Sequence, residues 1–368
     1  MKVEMKSSAR IVIVGAGFAG ASTAWWLRRY GETDVLLLER EPAAGIQASG
    51  QNAAMARQAT TDPFISRLLV EGVRFMTAPP KEFRAARPPV NRAGSALMGS
   101  SAQIQKLADV LRLVLPENEF EIGTIQALRA IPYLSGIRAE SVLYTKSDGF
   151  IDLDALLNGF LDGAYVVTSC SFVSAARNSE GWTVSTSRGI IRCSTLVIAS
   201  GAWAARCAAD AGAGVLPFHP TTRHLFLSAR QNEFSTDAPF VWDITAECYV
   251  RPDGAGALMM SACDQDPYDP STPLLPSVRM PAVLKEKMAR AFPSLSRLRV
   301  QRYWLGTRTL TPDGRFIIGP DPKVENLFWA AGLGGHGVTT SPAVGRIAAE
   351  SILGLKPVPA ELSSSRFI

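Results

Sequence analysis

The amino-acid sequence predicts a mixed α/β (α+β) fold with two domains, one built on a parallel sheet and the other on an antiparallel sheet. Three observations predict it. The chain opens with a strand, a glycine turn, a helix and a second strand, and a strand–glycine loop–helix pattern returns from Leu327 onward. Between them, residues 217–305 alternate short strands with proline and glycine turns. Parallel strands joined by helices and antiparallel strands joined by turns are typical of separate sheets.

Length and composition define the class of protein. The 368 residues correspond to two or three structural units at roughly 150 residues per domain. With 47% hydrophobic and 19% charged residues, the chain is globular, and the collagen-like and disordered classes are excluded. No apolar run reaches the ~18 residues of a membrane-spanning helix, so no transmembrane segment is predicted. The net charge of +5 is spread along the chain, which gives no indication of nucleic-acid binding.

The number and spacing of the cysteines and histidines indicate whether the protein binds a metal and whether it resides in a reducing compartment. The five cysteines are widely spaced without a C-x-x-C pair, and the chain has three histidines. This usage predicts no metal site and is typical of a reduced, cytoplasmic protein. The apolar run Ile11–Val14 is too short for the core of an export signal.

The first forty residues predict one right-handed βαβ unit. Ile11–Val14 is a β-branched run that suits a buried parallel strand, and Ala21–Tyr30 follows as a helix that Gly31 ends. Val35–Glu39 is a second buried strand that ends on an acid. Strand, glycine turn, helix and strand at this spacing are the Rossmann-like arrangement.

The glycine turn inside this unit predicts a dinucleotide site. Gly15 permits the tight turn out of the strand, Gly17 lets the backbone approach a pyrophosphate, and Gly20 lets helix and strand pack closely. The helix N-terminus offers free N–H groups to phosphates. Glu39, nineteen residues beyond Gly20, is placed to accept hydrogen bonds from ribose hydroxyls and would repel the 2′-phosphate of NADP.

The remaining elements are predicted in chain order, except over residues 79–148, where many prolines and mixed periodicity give no clear order. The predicted elements are a loop over 43–54, a helix over 63–76, a helix beginning at 150–154, strands over 166–173, 183–186 and 195–199, a helix over 202–206, a strand over 327–331, a glycine loop over 332–337 and a helix over 340–353.

Two further features favour FAD over NAD. Ala48–Ala54 places small and polar residues where a cofactor that continues past its pyrophosphate needs close backbone. Gly332–Gly337 leads into a second helix, whose N-terminal dipole would stabilise the negative charge of a reduced flavin. Residues 1–78, 149–215 and 306–368 are therefore predicted to form a discontinuous FAD-binding domain. Residues 79–148 and 216–305 are predicted to form the substrate domain.

Five segments resemble the D-amino acid oxidase family of flavoproteins, and within it the bacterial D-amino acid dehydrogenase branch that includes D-arginine dehydrogenase. These segments are Ile13–Gly20, Ser49–Gly50, Ala199–Trp203, Arg308–Gly314 and Gly334–Gly337. The resemblance covers nearly the whole chain. It implies a Rossmann-like FAD-binding domain with a second, antiparallel-sheet substrate domain. It also implies oxidative deamination of an amino acid by hydride transfer to flavin N5, giving an imino acid and then a 2-oxo acid.

The resemblance also implies three substrate-facing residues, Arg223, Tyr249 and Arg308, and His336 in the second glycine loop is a fourth candidate catalytic residue. Two guanidinium groups bind a carboxylate through charge-assisted hydrogen bonds, and a phenol adds a third. His336 is expected to position the flavin or the substrate.

Backbone and side chains around both glycine loops are expected to contact FAD. The predicted cofactor-binding residues are Gly15, Ala16, Gly17, Phe18, Ala19, Gly20, Glu39, Arg40, Ala48, Ser49, Gly50, Gln51, Asn52, Ala53, Ala54, Met55, Val173, Ser200, Gly201, Trp203, Gly306, Gly334, Gly335, His336, Gly337, Val338 and Thr339. Some members of the family that the chain resembles attach flavin through a cysteine near the position of Arg308. No cysteine lies beyond Cys263 here, so FAD is expected to be bound non-covalently.

Substrate specificity departs from the D-arginine branch. That branch places an acidic residue after a Pro-Pro-x-x-Phe segment, whereas here Pro79–Phe83 is followed by Arg84 and Ala85. A D-amino acid with a neutral side chain is therefore expected, since a substrate cation would lack a partner. An N-alkyl glycine, a 2-hydroxy acid and a non-catalytic FAD-binding subunit are the alternatives. The electron acceptor, oxygen or quinone, stays open.

Overall fold

The fold is given by a computed structural model that describes residues 6–85, 87–231, 234–235, 237–254 and 256–368. The predicted domain ranges also include residues 1–5, 86, 232–233, 236 and 255, which lie outside the described residues. Within the described part of the chain, no helix is long and apolar enough to cross a membrane.

Strands form the framework of the described chain. They are β1 (Ile11–Val14), β2 (Val35–Leu38), β3 (Met55–Ala56), β4 (Val90–Asn91), β5 (Ser95–Gly99), β6 (Phe120–Gly123), β7 (Ser141–Thr145), β8 (Gly149–Ile151), β9 (Tyr165–Val167), β10 (Phe172–Asn178), β11 (Gly181–Thr186), β12 (Gly189–Cys193), β13 (Thr195–Ile198), β14 (His219–Ser228), β15 (Phe240–Asp243), β16 (Cys248–Asp253), β17 (Ala257–Ser261), β18 (Val300–Leu310), β19 (Ile317–Pro320) and β20 (Leu327–Ala331).

Helices connect and cover these strands. They are α1 (Phe18–Arg29), α2 (Pro63–Thr77), α3 (Ser101–Arg112), α4 (Gln126–Arg129), α5 (Leu153–Leu161), α6 (Ala204–Ala209), α7 (Met280–Ala291) and α8 (Gly337–Ile352). Short 3₁₀ turns lie at Glu117–Glu119, Pro132–Leu134, Gly201–Trp203, Pro293–Leu295 and Ser364–Phe367.

The first sheet has the order β19-β20-β13-β1-β2-β9 and confirms the predicted parallel βαβ unit. β1 pairs in parallel with β2 and with β13, and only the edge strand β19 is antiparallel. Ile11 and Ile13 face α1 and α8, while Val12 and Val14 face the small sheet β10-β11-β12. Burial on both faces explains why these strands are almost wholly apolar.

Helices α1 and α8 bring the two glycine loops together at one edge of this sheet. They pack so closely that a Cβ on Gly345 of α8 would lie 2.5 Å from the backbone carbon of Ser22 in α1. Both helices therefore start beside the carboxyl ends of the parallel strands. Ligands of open α/β sheets bind at such an edge.

The second sheet has the order β18-β14-β17-β16-β15-β5-β7-β6. Every neighbouring pair is antiparallel except β5 and β15, so the sheet over residues 217–305 is antiparallel as predicted. β18 continues through the predicted domain boundary, so Gly306 to Leu310 lie in this sheet. The domain ranges themselves stay a prediction.

Two predicted elements are wrong in detail. Phe150 and Ile151 do not begin a helix but belong to β8, which pairs with β3 and β4. The helix α5 starts afterwards because the Asp152 carboxylate accepts a hydrogen bond from Ala155 N at 3.0 Å and caps it. The predicted strand over 166–173 is two strands in different sheets, separated by a turn in which Ser169 has a φ of +48°.

Candidate active site

A cavity of about 800 Å³ lies between the two large sheets. It brings together both glycine loops, the small-residue loop after β2 and side chains of the second sheet. The predicted cofactor-binding residues that line it are Gly15, Gly17, Phe18, Ala19, Glu39, Arg40, Ala48, Ser49, Gln51, Asn52, Ala53, Ala54, Met55, Val173, Ser200, Gly201, Trp203, Gly306, Gly334, Gly335, His336, Gly337, Val338 and Thr339. Ala16, Gly20 and Gly50 are not among the lining residues.

The three glycines of the first loop have different roles in the structure. Gly15 has a φ of +108°, and a Cβ there would lie 2.5 Å from the carbonyl oxygen of Ala199. A Cβ on Gly20 would lie 2.0 Å from the carbonyl oxygen of Gly15, so Gly20 serves helix–strand packing and not the cavity surface. Gly17 has an ordinary extended backbone and borders the cavity, where a Cβ would contact Ser49 Oγ at 2.7 Å.

Glu39 and Ser49 organise the start of α1. Ala16 N donates to Glu39 Oε2 at 3.1 Å, and Glu41 N donates to Glu39 Oε1 at 2.9 Å. Phe18 N donates to Ser49 Oγ at 3.0 Å. Burial raises the pKa of Glu39 despite these hydrogen bonds. Each Glu39 oxygen can accept a further hydrogen bond, which suits the two hydroxyl groups of a ribose.

Arg40, the residue after Glu39, stacks on the ring of Trp203. The Arg40 guanidinium stacks 3.6 Å from the centre of the Trp203 ring, and Trp203 Nε1 donates to the carbonyl oxygen of Pro270 at 3.0 Å. Val173 lines the cavity and is 53% exposed. This end therefore presents stacked and apolar surface beside a carboxylate.

The opposite end of the cavity carries the two predicted arginines. Arg223 on β14 and Arg308 on β18 lie on neighbouring antiparallel strands, where Thr221 is opposite Arg308. Since Arg223 is two residues from Thr221, both arginines lie on the same face of the sheet. Arg223 is buried, and its Nε and Nη1 have no hydrogen-bond partner among the described residues.

Tyr249 and His336 complete this end. Tyr249 on β16 is buried with its ring 5.0 Å from that of Trp242, and burial raises the pKa of its phenol. The loop of His336 lies against Arg308, since a Cβ on Gly335 would lie 3.0 Å from Arg308 Cζ. The structure thus brings all four predicted catalytic residues to the wall of one cavity.

The charges at this end are positive. Burial and the nearby charge of Arg223 lower the pKa of Arg308 to about 10, so Arg308 stays a cation at neutral pH. Burial, followed by the charges of Arg57 and Arg308, lowers the pKa of His336 to about 3, so its imidazole is neutral. Among the described lining residues the carboxylates are Glu39 and Asp210, on the first sheet and at the end of α6.

The lining residues at this end that were not predicted include Arg57, Leu225, Trp242 and Gln265. The Arg57 guanidinium lies 4.4 Å from the centre of the Trp242 ring. Arg57 follows the small-residue loop that the sequence predicts to contact the cofactor, and its positive charge was the one available indication of a role in the site. Nothing in that loop indicated a contact with a tryptophan 185 positions later.

Comparison with known proteins defines the class. Residues 10–351 match the family described as FAD dependent oxidoreductase, so the chain belongs to that family. This membership confirms the predicted family, the enzyme class and FAD as the cofactor. The structure offers FAD a glycine turn free of Cβ at Gly17, a carboxylate at Glu39 and a second helix N-terminus at Gly337.

Individual relatives share both sequence and fold. The chain is 25% identical to the FAD-dependent oxidoreductase domain-containing protein 1 of Xenopus laevis over 405 residues, 94% of this chain and 79% of that protein. L-proline dehydrogenase from P. horikoshii superposes with a TM-score of 0.87 at 20% identity, over 99% of this chain and 98% of that one. Glycine oxidase from Geobacillus kaustophilus gives a TM-score of 0.84 at 22% identity, over 99% and 100%. These structures confirm the fold.

Proposed function

We propose that the protein oxidises the C–N bond of an amino acid, or of a related amine that carries a carboxylate, with FAD as the oxidant. The observation that carries this proposal is the pair Arg223 and Arg308, two guanidinium groups on one wall of the cavity that form no ion pair with a described residue, with Tyr249 beside them. The chemistry that FAD supplies when bound is acceptance of a hydride from the carbon bearing the amine, which leaves an imine that water hydrolyses.

The arginines are proposed to hold the substrate carboxylate. A buried N–H group without a partner costs about 1–3 kcal/mol, and Arg223 carries two such nitrogens, Nε and Nη1. A guanidinium binds both oxygens of a carboxylate through Nε and Nη2 on one edge or through Nη1 and Nη2 on the other, so each unpartnered nitrogen of Arg223 belongs to an edge that can take a carboxylate. Arg308 adds a second positive charge, and Tyr249, whose raised pKa keeps the phenol protonated, adds an O–H donor. Their contribution to the rate is orientation of the substrate.

His336 is proposed to position the amine and not to remove its proton. A neutral imidazole whose conjugate acid has a pKa of about 3 is too weak a base to deprotonate an ammonium group. It can still accept a hydrogen bond from the substrate. His336 is also the N-cap residue of α8, a helix of 16 residues whose N-terminal dipole favours negative charge in the cofactor ring.

Stereochemistry and cofactor attachment stay proposals. The D-configuration follows from the resemblance to D-amino acid dehydrogenases, whereas the fold is shared with an L-proline dehydrogenase and a glycine oxidase. Non-covalent FAD follows from the lack of a cysteine beyond Cys263. Acid precipitation tests the attachment: the flavin should appear in the supernatant, and flavin in the protein pellet would contradict non-covalent binding. A cytoplasmic location, and oxygen or quinone as the electron acceptor, are likewise proposals.

Anaerobic titration of the purified holoenzyme tests the proposal. D- and L-amino acids, N-alkyl glycines and 2-hydroxy acids are added in turn, and bleaching of the flavin absorbance is recorded. At least one amine should bleach the flavin. Bleaching by 2-hydroxy acids alone would favour that alternative, and retention of oxidised FAD with every compound would favour a non-catalytic subunit.

A matched pair of variants tests the arginine role. Arg308→Met should retain FAD and lower kcat/KM by about 30-fold or more, because removing one partner of a buried charge pair costs about 2–5 kcal/mol. Arg302→Met on the same strand removes an exposed guanidinium outside the cavity and should leave kcat/KM within about twofold of the wild type. Equal effects of the two substitutions would contradict the assignment.

A further inference from the structure

We propose that the substrate carries a second anionic group, a carboxylate or a group of equivalent charge and shape, and that Arg57 binds it. This inference rests on the proposed function, because it specifies the class of amine that the same cavity takes. It replaces the neutral substrate expected from Arg84 and Ala85 with an acidic one.

Arg57 is a cation in the cavity wall without a protein partner. No carboxylate and no hydrogen-bond acceptor of the described residues pairs with its guanidinium, which instead stacks 4.4 Å from the centre of the Trp242 ring. Stacking on an aromatic face leaves the N–H edge of a guanidinium free for a planar anion. A partly desolvated charge without a counter-ion is costly, so an anion that enters the cavity gains from pairing with it.

Asp148, the carboxylate whose charge acts on Arg57, is already engaged in hydrogen bonds. Asp148 is fully buried, and its Oδ1 accepts hydrogen bonds from Gln58 N at 3.0 Å and Gln58 Nε2 at 2.9 Å. Its Oδ2 accepts the hydroxyl of Ser95 at 2.6 Å. Asp148 therefore attracts Arg57 through space without pairing with it, and it anchors the residue that follows Arg57. The guanidinium is thus held in place and left available to the cavity.

The balance of charge at this end favours a dianion. Arg57, Arg223 and Arg308 contribute three positive charges, and no carboxylate of the described lining residues lies among them. Asp148 and Asp264 do not line the cavity, but they attract Arg57 and Arg223 through space. A second anionic group on the substrate would compensate the remaining positive charge further than a single carboxylate. An additional cationic group on the substrate would be repelled.

The strand order locates the two proposed anion-binding positions relative to one another. Trp242, which holds Arg57, lies on β15, and Tyr249 beside it lies on β16. Arg223 lies on β14, three strands away from Trp242 in the order β14-β17-β16-β15, or roughly 14 Å between backbones. The second anionic group is therefore expected on the Trp242 side of the carboxylate that Arg223 binds.

Acid and amide pairs of equal size test the inference on the holoenzyme. Aspartate is compared with asparagine and glutamate with glutamine, each as both enantiomers. The wild type should use the better acid at least about 30-fold more efficiently than its amide, as kcat/KM. Arg57→Gln should remove that preference, so that the acid and its amide are used with equal kcat/KM. Arg57→Lys should retain part of the preference, and Arg67→Gln on the exposed face of α2 should change nothing.

Binding of compounds that cannot be oxidised separates this inference from the proposed function. Succinate and butyrate are titrated into the oxidised holoenzyme, and the perturbed flavin spectrum gives their Kd. Succinate should bind at least about 30-fold more tightly, and Arg57→Gln should equalise the two. Failure of every amine to reduce the flavin would reject the proposed function alone. Equal binding of succinate and butyrate, or a loss in Arg57→Gln that is the same for acid and amide, would overturn the role of Arg57.

Discussion

Replacement of Gly17 by alanine tests whether the glycine is needed for protein stability or for binding of FAD. Gly17 has an extended backbone, so alanine adds no conformational strain, and the only atoms within 4 Å of its Cβ belong to the Ser49 side chain. The contact with Ser49 Oγ is 2.7 Å. Gly17→Ala should therefore force Ser49 to move and break its hydrogen bond from Phe18 N, at a cost of about 1 kcal/mol in the apoprotein.

The double variant removes the clash within the protein. In Gly17→Ala/Ser49→Ala the hydroxyl is gone, so the free energy of unfolding should equal that of Ser49→Ala alone, about 1 kcal/mol below the wild type. The Kd for FAD should nevertheless be raised, because the new methyl group occupies the surface on which we place the pyrophosphate. An overpacking cost of about 1–3 kcal/mol corresponds to about 5- to 150-fold in Kd.

Two measurements on the apoproteins decide this prediction. Urea denaturation gives the free energies of unfolding, and quenching of flavin fluorescence on binding gives the Kd for FAD. Ser49→Ala is the matched control. Equal FAD affinity of Ser49→Ala and of the double variant would refute the idea that the pyrophosphate approaches the Gly17 backbone.

Three further variants test other contacts. Gly335→Ala places a Cβ 3.0 Å from Arg308 Cζ and should lower kcat/KM at least about fivefold with FAD retained; unchanged kinetics would contradict the contact. Gly345→Ala should lower the free energy of unfolding by about 1–3 kcal/mol in urea, whereas Gly214→Ala, with no atom near its Cβ, should not. The pKa of His336 is about 3 in the folded protein and 6.5 in the unfolded chain. Below pH 6.5 the unfolded chain therefore binds one proton more than the folded protein, and the contribution of His336 to the free energy of unfolding falls. The stability of the His336→Asn apoprotein relative to wild type should therefore rise between pH 7 and pH 4; a constant difference would exclude the shift.

The parts of the fold encoded by local patterns were predictable. The unit from Ile11 to Leu38 was recognised because a buried parallel strand, a glycine turn and a helix stop signal are each short-range features. The helix starts at Phe18, three residues before the predicted Ala21, because the Ser49 hydroxyl accepts from Phe18 N, a contact that joins residues 31 apart. Sequence spacing alone does not reveal such a partner.

The site residues that were not predicted depend on strand pairing between segments far apart in the sequence. Trp242 faces the cavity because β15 pairs in parallel with β5, a segment of residues 79–148 for which no order was predicted. Arg57 becomes a cavity residue through its stacking on Trp242. The sequence carries a cation and an aromatic residue at these positions, but only the sheet order places them together beside Arg223.

The central claim is that one cavity holds FAD with its ring between the His336 loop and the paired arginines. A crystal structure of the holoenzyme with an unreactive carboxylate such as succinate tests it most directly. The ribose hydroxyls should lie against Glu39, the flavin ring beside His336, and one carboxylate within hydrogen-bonding distance of the Arg223 guanidinium. A carboxylate bound away from Arg223 and Arg308, or a flavin ring at the Trp203 end, would contradict the account.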